Sequence, residues 1–83
     1  MQTNDLPLKP RPFRARSGRD LGTAIKHFRK LAGISQVELA ARTGLHRSYL
    51  VALESGNATE AVERIMALLN ELGLRVTIAK EER

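Results

Sequence analysis

The stretch SQVELAARTGLHRSYLVALESG, from Ser35 to Gly56, decides the fold. Its residues mostly favour helix, but Thr43-Gly44-Leu45 interrupts it after about two helical turns. Ser35 and Glu38 form a capping-box pattern, which predicts a short helix over 36–42 and a second one from His46 to Glu54. A connection this short fixes the angle between two helices, because it leaves no slack for them to lie antiparallel.

The residue types in this stretch suit two helices that cross closely. Ala40 is small where the helices approach, and Gly44 stands where the turn needs a positive φ. Four leucines take the positions that would face the core: Leu39, Leu45, Leu50 and Leu53. The positions expected to be exposed on the second helix are His46, Arg47, Ser48, Val51 and Ala52. A helix that a neighbouring helix holds away from the body of its domain is the kind of element that enters a DNA major groove.

The stretch resembles the helix-turn-helix of the Xre/Cro family of bacterial and phage regulators. Gln36 opens the motif, Ala40 and Gly44 fall four and eight residues later, and Leu50, Leu53, Glu54 and Gly56 end it. The resemblance covers residues 20–78. It implies an all-α domain of four to five helices, similar to the lambda-repressor DNA-binding domain, that binds double-stranded DNA at a palindromic operator.

The resemblance also implies roles for single residues. We assign eight residues to DNA binding, of which His46 would contact a phosphate or be a plain surface residue: Gln36, His46, Arg47, Ser48, Tyr49, Val51, Ala52 and Asn57. Gln36 would meet a phosphate through its side chain or its helix-end amides, and Asn57 matches a backbone-contact position. Arg47 and Ser48 match base-reading positions, where an arginine suits guanine. Tyr49 would reach a phosphate or pack on the preceding helix.

Two features of the motif carry further expectations. Val51 and Ala52 stand where many relatives have Gln, Arg or Lys, so base reading would rest more on Arg47, on DNA shape or on the basic N-terminal segment. Arg29 and Glu54 match a basic and an acidic position that pair in the family, and we expect a structural ion pair there.

The rest of the chain divides by composition. Residues 1–19 contain three prolines and no helical period, which predicts an extended or disordered basic arm. Residues 20–73 form the DNA-binding domain, with a first helix over 20–32 capped by Asp20 and a last helix over 60–72 capped by Thr59 or Asn57. That last helix carries an apolar stripe of Val62, Ile65, Met66, Leu69 and Leu72. A strand over 74–79 and a tail over 80–83 follow.

The strand is expected to be the only one in the chain. Leu74, Val76 and Ile78 alternate with polar residues, and nothing else in the sequence offers a partner strand. We therefore expect these three residues to pair with their counterparts in a homodimer, antiparallel across a two-fold axis. The alternative is an ordered tail that lies on the last helix. Four helices followed by such a strand resemble HipB-type antitoxins of toxin–antitoxin operons.

Charge and composition narrow the classes of function. The net charge is +5, of which residues 1–19 carry +4, and a basic excess favours a polyanionic partner. There is no cysteine, no apolar run of the roughly 20 residues that a membrane span needs, and no phosphate-binding loop or nucleophile motif. We expect a cytoplasmic protein that is not an enzyme, with no metal site and no cofactor.

Three functions agree with the sequence. The first is a homodimeric repressor, the antitoxin of a type II toxin–antitoxin operon, which regulates its own operon and neutralises a toxin partner. The second is a stand-alone or phage-type repressor without a toxin. The third is a protein-interaction module that uses the helix-turn-helix as a scaffold while the basic arm binds a protein.

Overall fold

The computed structural model describes residues 11–81, and within this range the chain forms four helices and one two-stranded sheet. The elements in chain order are β1 (Phe13–Ala15), α1 (Gly18–Leu31), α2 (Gln36–Thr43), α3 (Arg47–Glu54), α4 (Glu60–Glu71) and β2 (Val76–Ile78). The prediction of a mostly helical domain is confirmed. The connection between α2 and α3 is as short as the sequence indicated.

The first helix begins earlier than expected, and Asp20 is not its cap. Ser17 is the N-cap, because its side chain accepts a hydrogen bond from the backbone N–H of Asp20 at 3.2 Å. The amide of Gly18 donates to Oε1 of Glu63 at 2.9 Å, so a carboxylate from α4 satisfies a second free amide of the first turn. For α4 the cap is Thr59, one of the two residues expected there.

The expectation that the C-terminal strand is the only strand is wrong. β2 pairs with β1 in antiparallel register, with Phe13 opposite Ile78, Arg14 opposite Thr77 and Ala15 opposite Val76. Residues 13–19, which were expected in the arm, therefore belong to the folded domain, whereas residues 1–10 lie outside the described residues. β1 escaped detection because a strand of three residues is too short to show a period of two.

The partner strand changes the argument for a dimer. Val76 and Ile78 are half-buried on the same face of the sheet as Phe13 and the fully covered Ala15, so their apolar side chains pack within one chain. The observation that motivated pairing of β2 across a two-fold axis, an apolar strand without a partner, no longer holds.

The core is small and aliphatic. Its buried apolar side chains are Ala15, Ala24, Ala40, Leu50, Leu53 and Met66. α1 approaches α3 so closely at Gly22 that a Cβ on this glycine would lie 1.8 Å from the carbonyl oxygen of Leu53. Only glycine permits this contact, which places the last turn of α3 directly on α1.

Several large apolar residues expected in the core are exposed. Leu45 lies at the surface, and so do Ile65 and Leu72 from the predicted stripe of α4. α4 covers the domain with one side only, where Met66 is buried and its neighbours Val62 and Leu69 are half-buried. Within residues 11–81, no helix has the length and hydropathy needed to cross a bilayer.

Candidate nucleic-acid interface

The interface begins at the N-terminus of α2, where the predicted capping box is confirmed. Ser35 Oγ accepts from the amide of Glu38 at 3.0 Å, and Glu38 Oε1 accepts from the amide of Ser35 at 3.2 Å. The amides of Gln36 and Val37 donate no hydrogen bond to any group within residues 11–81. This helix end therefore presents two free backbone donors to an incoming anion.

The turn that follows α2 sets the direction of α3. Gly44 adopts a left-handed conformation with φ of 75°, and its amide and that of Leu45 both donate to the carbonyl of Ala40. Ala40 is buried where α2 meets α3, as expected from its size. The interruption of the helix at Gly44 is thus a C-cap, and it turns the chain into a second helix three residues later.

α3 presents an open N-terminus. His46 occupies the N-cap without a side-chain hydrogen bond, and the first turn contains no acidic residue. Within the described range the amides of Arg47 and Ser48 have no acceptor, and both side chains are exposed. Partial positive charge from the helix dipole, two free amides and a guanidinium therefore meet at one end of α3, which suits a polyanion.

The predicted ion pair lies under the two helices and is confirmed. Arg29 Nε donates to Glu54 Oε2 at 2.8 Å, and Arg29 Nη2 donates to Glu54 Oε1 at 2.9 Å. The two side chains are only 10% and 2% exposed. The hydrogen bonds from Arg29, more than any other interaction, hold the pKa of Glu54 below its ordinary value, and a hydrogen bond from Gln36 acts in the same direction against the effect of burial.

This pair joins three helices at one point. Arg29 comes from α1 and also donates through Nη1 to the carbonyl of Ile34 at 2.9 Å, while Glu54 closes α3. Gln36, the first residue of α2, donates through Nε2 to Glu54 Oε1 at 3.0 Å. The angle between α2 and α3 is therefore fixed at the turn and again by this cluster, whose charges and hydrogen bonds are paired.

Comparison with known proteins agrees with this geometry. A family model described as helix-turn-helix matches residues 25–78, well over half of the chain. The chain belongs to the helix-turn-helix family. No match was found among curated proteins or among solved structures.

Membership of the helix-turn-helix family settles the broad class. The protein is a DNA-binding transcriptional regulator of the Xre/Cro-like type, and its family is a regulatory one, not a catalytic one. In this helix-turn-helix, α2 is the supporting helix and α3 takes the position of the recognition helix.

The predicted DNA-binding residues lie at the start of α2, along α3 and in the loop that follows α3. Five of them are exposed, namely His46, Arg47, Ser48, Val51 and Asn57, whereas Gln36, Tyr49 and Ala52 are half-buried. Because Gln36 Nε2 already donates to Glu54, only its second N–H is left for a phosphate, beside the free backbone amides. The half-buried position of Tyr49 leaves both of its expected roles open.

Two cations that were not in the predicted set lie beside the helix-turn-helix. Arg19, which was assigned to the arm, lies in the first turn of α1, and its Cγ would be 3.3 Å from a Cβ on Gly56, just after α3. Lys26 is exposed on α1, and its positive charge makes a small contribution to the lowered pKa of Glu54. Arg19 and Lys26 are seven residues apart, which places them two turns apart on one side of α1. This spacing could have identified them as a pair from the sequence.

Proposed function

We propose that the protein is a homodimeric, sequence-specific repressor that inserts α3 into the major groove of a palindromic operator. The observation that carries the proposal is the exposed N-terminus of α3, with Arg47 and Ser48 on it, held at a fixed angle by Gly44 and by the Arg29–Glu54 pair. A protein that reads DNA through a rigid helix needs this arrangement, because base contacts require the helix to be placed before it meets the groove.

Base reading in this proposal rests on few residues. Arg47 donates to O6 and N7 of a guanine, and Ser48 contacts the adjoining base edge. Val51 meets a thymine methyl group, and Ala52 allows close approach of the helix without adding a hydrogen bond. Arg47 thus supplies most of the hydrogen bonds that distinguish one base pair from another.

The contacts to the DNA backbone surround this reading helix. The free amides of Gln36 and Val37 bind one phosphate at the start of α2. His46, Tyr49 and Asn57 contact the sugar–phosphate backbone on either side of α3.

Arg19 and Lys26 extend the backbone contacts onto α1. Both side chains are exposed. Arg19 lies beside Gly56 in the loop after α3, and Lys26 lies two turns further along α1. In this proposal α3 reads the bases, and Arg19 and Lys26 contact phosphates, so each would add affinity without sequence preference.

Selection of DNA from a random duplex library tests the proposal. We expect the wild-type protein to enrich a palindrome whose half-sites are about one helical turn, 34–36 Å, apart. Arg47→Ala should lose about 1–3 kcal/mol per half-site and relax the preference at one base pair. Arg75→Ala removes the same charge at the far end of α4 and serves as the control. A library that shows no enrichment, or an unchanged preference in Arg47→Ala, would contradict the assignment of α3.

The antitoxin role is a narrower prediction. It rests on the resemblance of the helices and C-terminal strand to HipB-type antitoxins, and the in-chain pairing of β2 with β1 weakens the part of that argument that used the strand. Co-purification of the protein with the product of the adjacent gene would support it. A neighbouring gene product that neither binds the protein nor arrests growth would favour the stand-alone repressor.

A further inference from the structure

α4 carries an apolar surface that nothing within residues 11–81 covers. Ile65, Leu68, Leu72 and Leu74 are 55%, 65%, 71% and 52% exposed. The first three recur at intervals of three and four residues, so they lie on one side of the helix. Leu74 is folded back onto the end of the helix, because its amide donates to the carbonyl of Leu69 at 2.9 Å after the left-handed Gly73. We call these four residues the α4 apolar face.

The α4 apolar face is separate from the sides of the helix that hold it in the domain. Met66 is buried, Glu63 caps the start of α1, and Asn70 Nδ2 donates to the carbonyl of Arg16 at 2.8 Å. These three residues point toward α1 and the segment before it, whereas the apolar face points away. Four leucine-sized side chains together on so small a domain exceed the scattered apolar residues that an ordinary surface carries.

Two charged residues of opposite sign lie beside this face. Arg64 and Glu71 line the same flank of the face, seven residues and two turns apart, and with Ala67 and Leu68 they surround an open depression. When two copies of α4 lie antiparallel across a two-fold axis near the middle of the helix, Arg64 of each copy comes beside Glu71 of the other. Within its own chain Arg64 donates through Nη2 to Glu60 at 2.9 Å, which leaves the other N–H groups of its guanidinium for Glu71. The face is thus complementary to itself in charge as well as in hydrophobicity.

We propose that the α4 apolar face is the dimer interface of this protein, in which two α4 helices pack antiparallel. The partner is a second copy of the chain. This inference rests on the proposed function, which needs two recognition helices, but it moves the dimer contact from β2 to α4 and keeps only Leu74 from the residues first expected there. Because stable interfaces bury about 800 Å² from each partner, neighbouring residues around α4 complete the contact.

The α4 apolar face is separate from the residues that fix the angle of α3. The turn at Gly44 and the Arg29–Glu54 pair lie at the α2–α3 end, and none of the residues of the α4 apolar face takes part in them. A dimer built through this face therefore leaves α3 of both copies exposed for DNA. Opposed charges at Arg64 and Glu71 fix the antiparallel direction, since a parallel pair would bring like charges together.

Sedimentation of charge-reversed variants of the full chain tests the interface. Arg64→Glu alone places two acidic groups opposite each other at both contacts, and Glu71→Arg alone places two basic groups there. Each variant should dimerise at least tenfold more weakly than the wild type. An equimolar mixture of the two should form a one-to-one heterodimer, since every contact then joins opposite charges. Dimers of unchanged strength in both single variants, or a mixture that stays monomeric, would overturn the proposal.

Leu68→Glu separates this inference from the proposed function. Leu68 is exposed in one chain, so the variant should keep the wild-type circular dichroism spectrum and thermal midpoint when both are measured as monomers. It should sediment as a monomer, bind a duplex that carries one selected half-site as well as the wild type, and lose at least tenfold on the full palindrome. A dimeric Leu68→Glu refutes the α4 interface. Failure of the wild type to bind the half-site refutes the DNA-binding proposal and leaves the sedimentation result unaffected.

Discussion

The end of the molecule where α1, α2 and α3 meet is closed, whereas the outer side of α4 is open. At the closed end, Glu54 accepts hydrogen bonds from Arg29 and Gln36, and Gly22 lies directly against α3. On the outer side of α4, large aliphatic side chains project into solvent. At the closed end the buried side chains of Arg29 and Glu54 are paired within one chain, whereas on the open side large apolar side chains are left uncovered by the rest of residues 11–81.

This difference separates two tasks. A recognition helix must be placed before DNA arrives, and the closed end provides that placement without help from a second chain. Spacing between two recognition helices can come only from assembly, and the open side of α4 supplies a surface for it. Mutations at the closed end should therefore change the stability of the single chain, while mutations on the open side should change the association of two chains.

The largest effect is expected at Gly22. Gly22→Ala should force α1 away from α3, because the new Cβ would overlap the carbonyl oxygen of Leu53. We expect the free energy of unfolding to fall by more than about 4 kcal/mol, which is a large part of the total stability of a domain of this size. The loss is expected although alanine favours helix more than glycine does. Thermal unfolding followed by circular dichroism measures it. Thr23→Ala, one residue along on the exposed side, is the control and should change stability little. A Gly22→Ala protein as stable as the wild type would show that α1 and α3 are not closely packed.

A smaller loss is expected at Glu54. Glu54→Gln leaves the buried guanidinium of Arg29 without its counter-charge and should cost about 3 kcal/mol at neutral pH. Glu60→Gln breaks the exposed pair with Arg64 and should cost less than about 0.5 kcal/mol. Chemical unfolding of both variants beside the wild type gives the comparison.

The Glu54 variant also predicts a pH dependence. The pKa of Glu54 lies below its ordinary value of 4.5 in the folded protein, so its contribution to stability is complete above that value. As the pH falls below 4.5 through the lowered pKa, the carboxylate binds a proton and the contribution is lost. The difference in stability between wild type and Glu54→Gln should therefore shrink on acidification from pH 5. A difference that stays constant down to pH 2 would mean that the ion pair does not stabilise the fold.

The smallest effect concerns the two cations on α1. Arg19→Gln and Lys26→Gln should each flatten the slope of log K against log salt by about one unit per protomer and leave the selected sequence unchanged. Arg75→Gln is the matched control, because Arg75 lies between α4 and β2 and belongs neither to α1 nor to the helix-turn-helix. Equal slopes for all three variants and the wild type would remove α1 from the interface.

Part of the closed end could be predicted from the sequence because its determinants are local. The capping box at Ser35 and the positive φ at Gly44 follow from residue types at fixed spacings, whereas the pairing of Arg29 with Glu54, 25 residues apart, was expected only from the resemblance to the Xre/Cro family. The structure has all three. Gly22 was not identified from the sequence, because the residue that packs against it and leaves no room for a Cβ is Leu53, more than 30 residues away.

The open side of α4 could not be predicted in the same way. A period of three and four residues shows that a helix has an apolar side, but the stripe here is wide enough to serve two surfaces. Met66 turns inward while Ile65 and Leu72 turn outward, and only the position of α4 on the domain decides between them. The sheet was missed for a related reason: the pairing of Phe13–Ala15 with Val76–Ile78 joins segments about 60 residues apart.

Methylation interference on the selected palindrome tests the central claim most directly, that α3 reads the major groove through Arg47. Dimethyl sulfate methylates N7 of guanine, the atom that a bidentate arginine contacts. We predict that methylation of one guanine in each half-site blocks binding of the wild type, and that binding of Arg47→Ala becomes insensitive to that guanine while its other interference positions remain. Identical interference patterns for the two proteins would contradict the account and place base reading outside the N-terminus of α3.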